Sequence, residues 1–397
     1  MEEIKMLALK LAYRNLVGAG LRTWLNVIVL SFCYILIIWY FGLLDGWNQE
    51  ARRDTINWEI GGGQYWQQNY DPYDPFALNE SHSPLPEEMQ AEIARGAMTP
   101  ILIAQGTIYP DGRIQNVILK GIDPDQKILT IPSAELNQDS DAIPALIGKR
   151  MAKNNKLKVG DFITVRWRDA NGTFDAADAK IVGIFKTIVQ SVDNAQMWIP
   201  LERLQEMMGM PDEATIVVVD KNARFTVSSS YAGWDFKNHD FLLKQLSEVI
   251  RSKSVGIIFV YIILLFLAML AIFDTQVLSI FRRQREIGTI IALGMTRLQV
   301  VKLFTIEGAM HGVLAAIVAA IYGIPLLTLQ AVKGIRMPQG TDDYGITIAE
   351  KIFPVYSVGL VLGTVLIVFI TATIVSYLPA RRIAKMNPTE AIKGKIQ

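Results

Sequence analysis

One cysteine, Cys33, in 397 residues leaves no internal disulfide framework and no thiolate metal site. The three histidines, His82, His239 and His311, stand far apart and none falls in an HxxxH or HExxH spacing, so the pattern proposes no metal. GxSxG is absent, as is any Ser/Lys pair in a catalytic frame. A GxxxxGK[ST] phosphate loop is missing too: Gly61, Gly62 and Gly63 run into Gln64 and Tyr65 and do not open a helix. Charge is scarce and balanced, with 39 Lys and Arg against 38 Asp and Glu for a net +1. That balance excludes the basic surface of a nucleic-acid binder. At 51% hydrophobic and 19% charged, the chain is also too apolar for a soluble enzyme of its length. The composition points to a membrane protein, and no motif in the sequence proposes a catalytic centre.

Long apolar runs supply the spans. Residues 25–44 form a charge-free run of the ~20 residues that cross a bilayer core. It ends in Trp39, Tyr40 and Trp47, an interfacial aromatic belt and not a small-residue cleavage site, so it reads as a retained first span and not a secretory signal. Three further spans are expected at 255–280, 303–327 and 355–378. Lys and Arg cluster beside them in 1–24, 281–302 and 379–397, which places all three segments in the cytoplasm. Residues 1–24 read as an amphipathic helix on the inner leaflet, with Lys5, Lys10, Arg14 and Arg22 between apolar positions. Residues 45–254 and the short loop 328–354 then lie outside.

The 45–254 segment is long enough to bury its own core. β-branched runs at 116–120, 162–168, 179–186 and 215–219 predict strands, the second and third joined by a hairpin through Asn171-Gly172. Helices are expected at 86–95, 149–155 and 201–208, which makes the domain α+β and antiparallel in the main. Polar ends at 49–58 and 239–254 are placed to extend the first and second spans as a stalk. Residues 61–86, rich in Pro, Asp and Tyr, read as an exposed loop. The expected whole is an α-helical membrane protein with four transmembrane helices plus a large α+β extracytoplasmic domain inserted between spans one and two.

Between spans two and three lies the most distinctive stretch, Phe281 to Phe304. Ile287, Ile290, Ile291, Leu293, Leu298 and Val301 recur at helical spacing, with Arg282, Arg283, Arg285, Arg297 and Lys302 at its ends. The pattern predicts one amphipathic helix lying on the cytoplasmic membrane surface. Asp274 and Glu307 flank it and are expected to pair with its Arg and Lys residues, not to form a proton path. Gly308, Gly312, Ala316 and Ala320 in span three, and Gly359 and Gly363 in span four, are small residues at the spacing that lets helices approach closely, within one subunit or between two.

Several blocks resemble a known family, the FtsX-like and MacB-like permeases of type VII ABC transporters. They are LAYRNLVGAGLRTWL at the entry to span one, GIDP, IGKRMAKNNKLKVGD, VGIF and MWIPLERLQ in the outer domain, RRQREIGTIIALGMTRLQVVKLFTIEG at 282–308, and YLPARRIAKMNPTEAIKG at 377–394. The outer blocks look like the MacB-type periplasmic core domain. The resemblance implies a permease that binds no cofactor itself and is not an enzyme; a separate ABC ATPase subunit holds ATP and Mg. It implies a second permease subunit, the same chain or a paralogue, in the bacterial inner (cytoplasmic) membrane. By the match, Arg283, Arg285, Glu286, Ile287, Gly288, Ala292, Leu293, Gly294 and Arg297 form a coupling helix that contacts the ATPase. The short loop before span four and the 61–76 segment look most like the lipoprotein-releasing permeases, implying a lipoprotein or other amphiphilic cargo. The alternative from another class is a mechanotransmission or signalling subunit that moves an outer partner and transports nothing. An extractor needs an apolar groove for acyl chains, whereas a transmitter needs only a protein-binding face.

Overall fold

The computed structural model describes residues 21–74, 76–138, 141–223, 230–336 and 351–383. The expected inner-leaflet helix before residue 21, most of the loop between the last two spans, and the tail beyond 383 lie outside them. Within the described residues the chain divides into an inserted unit, 49–249, and a membrane unit of 21–48, 250–336 and 351–383.

The first helix, α1 (Leu21–Thr55), runs well past the apolar stretch and ends through a π-turn at Ile56–Ile60. The inserted unit then builds on twelve strands. They are β1 (Gln64–Gln67), β2 (Ser83–Pro84), β3 (Met98–Ile108), β4 (Gln115–Ile122), β5 (Ile143–Gly148), β6 (Phe162–Arg168), β7 (Phe174–Phe185), β8 (Gln196–Pro200), β9 (Glu213–Ala214), β10 (Ile216–Val219), β11 (Ser230–Tyr231) and β12 (Trp234–Lys237). Helices α2 (Glu87–Ala94), α3 (Lys149–Asn155), α4 (Gln190–Ala195) and α5 (Leu201–Met208) lie between them. Pairing runs β3-β4-β8-β5-β7-β6 and returns from β6 to β3, so six strands close a ring. Most pairs are antiparallel; β4–β8 and β5–β7 are parallel. Alternate residues of all six strands, including Leu102, Leu119, Ile147, Val165, Ile181 and Met197, meet in one buried cluster. The intervening residues Ile101, Ile103, Leu146 and Trp198 build a second cluster on the opposite face. The period of two along each strand therefore fills two cores.

β6 and β7 form the hairpin, with Gly172 at φ 84° in its turn. The 61–86 stretch is not simply a loop. β1 sits inside it, buried, and pairs with both β10 and β12. Gly61 and Gly63 take positive φ there, and a Cβ on them would press into Val218 and Phe236 respectively. Buried Gln64 and Gln67 are tolerated because they are bonded: Gln64 Nε2 donates to the Glu59 carbonyl at 2.7 Å, and Gln67 Oε1 accepts from Asn69 N at 2.7 Å.

After α6 (His239–Leu242), the membrane unit continues through α7 (Lys244–Arg282), α8 (Gln284–Ala292), α9 (Arg297–Lys333) and α10 (Val358–Ile383), with a short β13–β14 pair (Ile335–Arg336, Lys351–Ile352) between the last two. Among the described residues, four helical stretches are long and apolar enough to cross a membrane: Trp24–Ile60, Ile258–Arg282, Arg297–Lys333 and Val358–Arg382. One buried cluster joins all four, with Leu30 and Tyr34 from α1, Ala268 and Ile272 from α7, Ala315 and Ala319 from α9, and Ala372 from α10.

The small-residue stripe of α9 differs from its expected course. Gly308 and Gly312 are buried, but Ala320 is exposed, and the buried small residues continue as Ala315, Ala319 and Gly323. Each step of four residues turns a helix roughly 40° past a full turn, so a strict four-residue stripe leaves the contact face within three steps. A mixed three-and-four step stays on it. Gly359 and Gly363 have no atom within 4 Å of a would-be Cβ, so that pair packs against nothing in the described residues.

Candidate functional site

The 281–304 stretch is not one helix. Arg283 (φ −101°, ψ 14°) breaks it from α7, and Gly294, at φ 104°, ends α8 after nine residues. Thr296 then starts α9 with a capping box: its Oγ1 accepts from Gln299 N at 3.3 Å while Gln299 Oε1 accepts from Thr296 N at 2.8 Å. Periodicity alone ran through these breaks because Leu298 and Val301 continue the apolar spacing on the next helix. The local signals were present in Gly294 and in Thr296-x-x-Gln299.

Four helix ends converge on this segment. Ile280 at the end of α7, Ile287 in α8, Val300, Val301 and Phe304 in α9, and Ala380 in α10 form one small buried core. Arg283 locks it. Its Nη1 lies 3.0 Å from both carboxylate oxygens of Glu307, and its Nε donates to Glu286 Oε2 at 2.8 Å. The guanidinium also sits 5.0 Å from the Phe304 ring centroid. Burial works against the charge of Arg283, but its hydrogen bonds to Glu286 and the Glu307 carboxylate raise its pKa overall, so it stays a cation. Of the two flanking acids, then, Glu307 pairs as expected. Asp274 does not: it is exposed and makes no ion pair among the described residues.

The nine residues assigned to coupling separate into two sets. Ile287 and Gly288 are buried against the spans, and Arg283 is turned to Glu307, so these three hold the helix and are not presented by it. Arg285, Glu286, Ala292, Leu293, Gly294 and Arg297 are exposed, with Leu293 83% exposed and Leu298 beside it at 62%. The result is a short helix with a buried apolar back, an exposed charged and apolar front, and an ion-pair tether to α9. Among the described residues no cluster of His, Cys, Asp and Glu is arranged to hold a metal ion.

Residues 258–388 match the family described as the FtsX-like permease C-terminal domain. The chain is 23% identical over 274 residues to an uncharacterized ABC transporter permease of Methanocaldococcus jannaschii, covering 65% of this chain and 64% of that protein. It is 28% identical over 145 residues to the ABC transporter permease YtrF of Bacillus subtilis, covering 36% and 33%. It is 26% identical over 234 residues to the macrolide export ATP-binding/permease protein MacB of Sodalis glossinidius, covering 55% and 33%. The matches thus span under two thirds of the first relative's length and a third of the other two. Among solved structures, the extracellular domain of the noncanonic ABC-type transporter YknZ from Gram-positive bacteria aligns at 13% identity and a TM-score of 0.28, covering 44% of this chain and 99% of that one. The likeness is therefore to ABC transporter permeases of the FtsX/MacB type, and residues 258–388, which hold the last three candidate spans and the tethered helix, are the part that matches the FtsX-like permease C-terminal domain.

Proposed function

We propose that this chain is the permease subunit of a type VII ABC transporter, in which α8 receives the stroke of a separate ATPase and passes it to the inserted domain. The observation that carries this reading is the two-sided α8. Its front leaves Arg285 and Glu286 exposed, and beside it Leu293, just past its end, and Arg297 and Leu298, at the start of α9, are exposed too, a mixed apolar and charged surface of the kind a protein partner covers. Its back is fastened by Arg283 to Glu307, so a push on the front moves α9 with it. ATP and Mg belong to the partner, and the chain itself performs no chemistry.

The exposed apolar surface of α7, including Phe259, Ile262, Ile263 and Phe266, together with the open Gly359 and Gly363, supports a second permease subunit in the membrane. The cargo in this reading is a lipoprotein or another amphiphile handled at the outer face of the cytoplasmic membrane, the work being done outside the bilayer core.

Co-purification of the chain with the ABC ATPases of its own cell tests the assignment, comparing wild type with Glu286→Lys and Gly294→Pro. Glu286→Lys reverses an exposed charge on the front face and also removes the acceptor of Arg283 Nε. Gly294→Pro puts a residue confined to φ near −65° where the backbone needs φ 104°. Wild type is expected to retain an ATPase, and each variant to lose at least about tenfold of it. Recovery of no ATPase from any preparation would sink the permease reading.

A further inference from the structure

The inserted unit holds a cleft of about 1910 Å³ that neither the fold nor α8 requires. Drug-sized ligand sites run to about 300–1,000 Å³, so this one is dimensioned for an oligomer. Its lining has an unusual composition: nine Asn and Gln side chains, seven aromatic rings, and five acidic against five basic groups. Of the five exposed aromatic side chains among the described residues of this unit, four, Tyr73, Phe76, Phe174 and Phe241, line this single cleft. Phe76 is 87% exposed and Tyr73 71%, which leaves ring faces open at the rim. Deeper in, Lys120 pairs with Glu59 at 3.3 Å, and Gln196 Nε2 donates to Glu59 Oε1 at 3.2 Å. Gln196 is 4% exposed, and its Oε1 has no hydrogen-bond partner.

We propose that this cleft is a binding site for a neutral, polyhydroxylated oligomer, a glycan strand met outside the membrane. The chemistry of the lining selects it. Each sugar hydroxyl donates and accepts, and side-chain amides, like the Tyr, Ser and Thr hydroxyls also in the lining, offer both at once, whereas carboxylates only accept and Lys and Arg only donate. The apolar face of a sugar ring lies flat on an aromatic ring, and the lining holds seven rings beside nine amides. Equal numbers of acids and bases give no net attraction to an anionic polymer or to a charged lipid headgroup. An acyl chain would leave the amides facing it unpartnered, at a cost.

The test uses the full chain in lipid nanodiscs free of glycoside detergent, titrated separately with maltohexaose, cellohexaose and chitohexaose, with a glycine-serine hexapeptide as the comparison. Trp66 and Trp167 line the cleft and report binding through their fluorescence. The expected result is saturable binding of at least one hexasaccharide, weakened roughly tenfold by the double substitution Phe76→Ala and Phe174→Ala with the thermal midpoint unchanged. Both rings are exposed, so the variant loses ligand contact without loss of core. The proposal is overturned if none of the three sugars binds saturably, if the double variant binds as wild type does, or if the hexapeptide binds more tightly than every sugar. Because the titration needs no ATPase, its outcome is independent of the reading of α8.

Discussion

Arg283→Ala is expected to detach α8 from the membrane helices, raising amide exchange across residues 284–292 by about 100-fold while the inserted unit keeps its protection. The substitution strands the Glu307 carboxylate, whose side chain is only 8% exposed, without its cation. Removing one partner of a buried ion pair costs about 3–5 kcal/mol, most of it from the charge left behind. α8 cannot make up the loss alone, because nine residues are too few for a stable isolated helix. Glu307→Gln is the milder change, at about 1–2 kcal/mol, since Arg283 keeps its bond to Glu286 and the neutral amide can still accept. Hydrogen exchange of the chain in lipid reads both. The charge swap Arg283→Glu with Glu307→Arg separates pairing from packing, and recovery of a substantial part of the protection is the expected outcome. Unaltered exchange in Arg283→Ala would mean that the small apolar core around Ile287, Val301 and Phe304 holds α8 without the ion pair.

Gly308→Leu should be the most damaging single change in the spans, lowering stability by at least about 3 kcal/mol. Even a lone Cβ at this position would overlap the Oγ and Cβ of Ser376 on α10 and come within 2.8 Å of Gln276 Nε2 on α7. Three helices close around the missing side chain. Gly359→Leu and Gly363→Leu form the internal comparison, because no atom lies within 4 Å of either would-be Cβ, and both are expected to stay within about 0.5 kcal/mol of wild type. Thermal unfolding in detergent ranks the three. A loss of oligomeric size in Gly359→Leu or Gly363→Leu, with unfolding unchanged, would assign that pair to a contact between permease subunits. Similar midpoints for Gly308→Leu and Gly359→Leu would refute the close α9–α10 packing.

Much of the architecture was legible along the chain. The apolar runs, the helix at 149–155 and the hairpin at Asn171-Gly172 rest on signals a few residues long. β3 was missed for a physical reason: MTPILIAQGTI is buried on both faces, so it lacks the period-two alternation of a half-exposed strand, and Pro100 argues against a central position. β1 was missed because its buried residues include Gln64 and Gln67, which become acceptable inside only once Glu59 and Asn69 arrive as partners.

The same division runs through the site. Hydropathy, length and the clustering of Lys and Arg depend on neighbours in sequence, and they were enough to indicate a four-span chain with a large insert and a basic amphipathic segment before span three. Which side of that segment faces inward was not readable, because every residue added turns a helix by about 100° and a single break resets the phase. The break at Gly294 moved Leu298 onto a different helix, and the drift of the small-residue stripe moved the contact from Ala320 to Ala319. Arg283 had three acids within plausible reach, Asp274, Glu286 and Glu307. Its choice of Glu307 and Glu286 over Asp274 follows from how α7, α8 and α9 meet, and the cleft follows likewise from strands and loops far apart in sequence. Such pairings depend on rotation and register across tens of residues, where a shift of one position presents a different side chain.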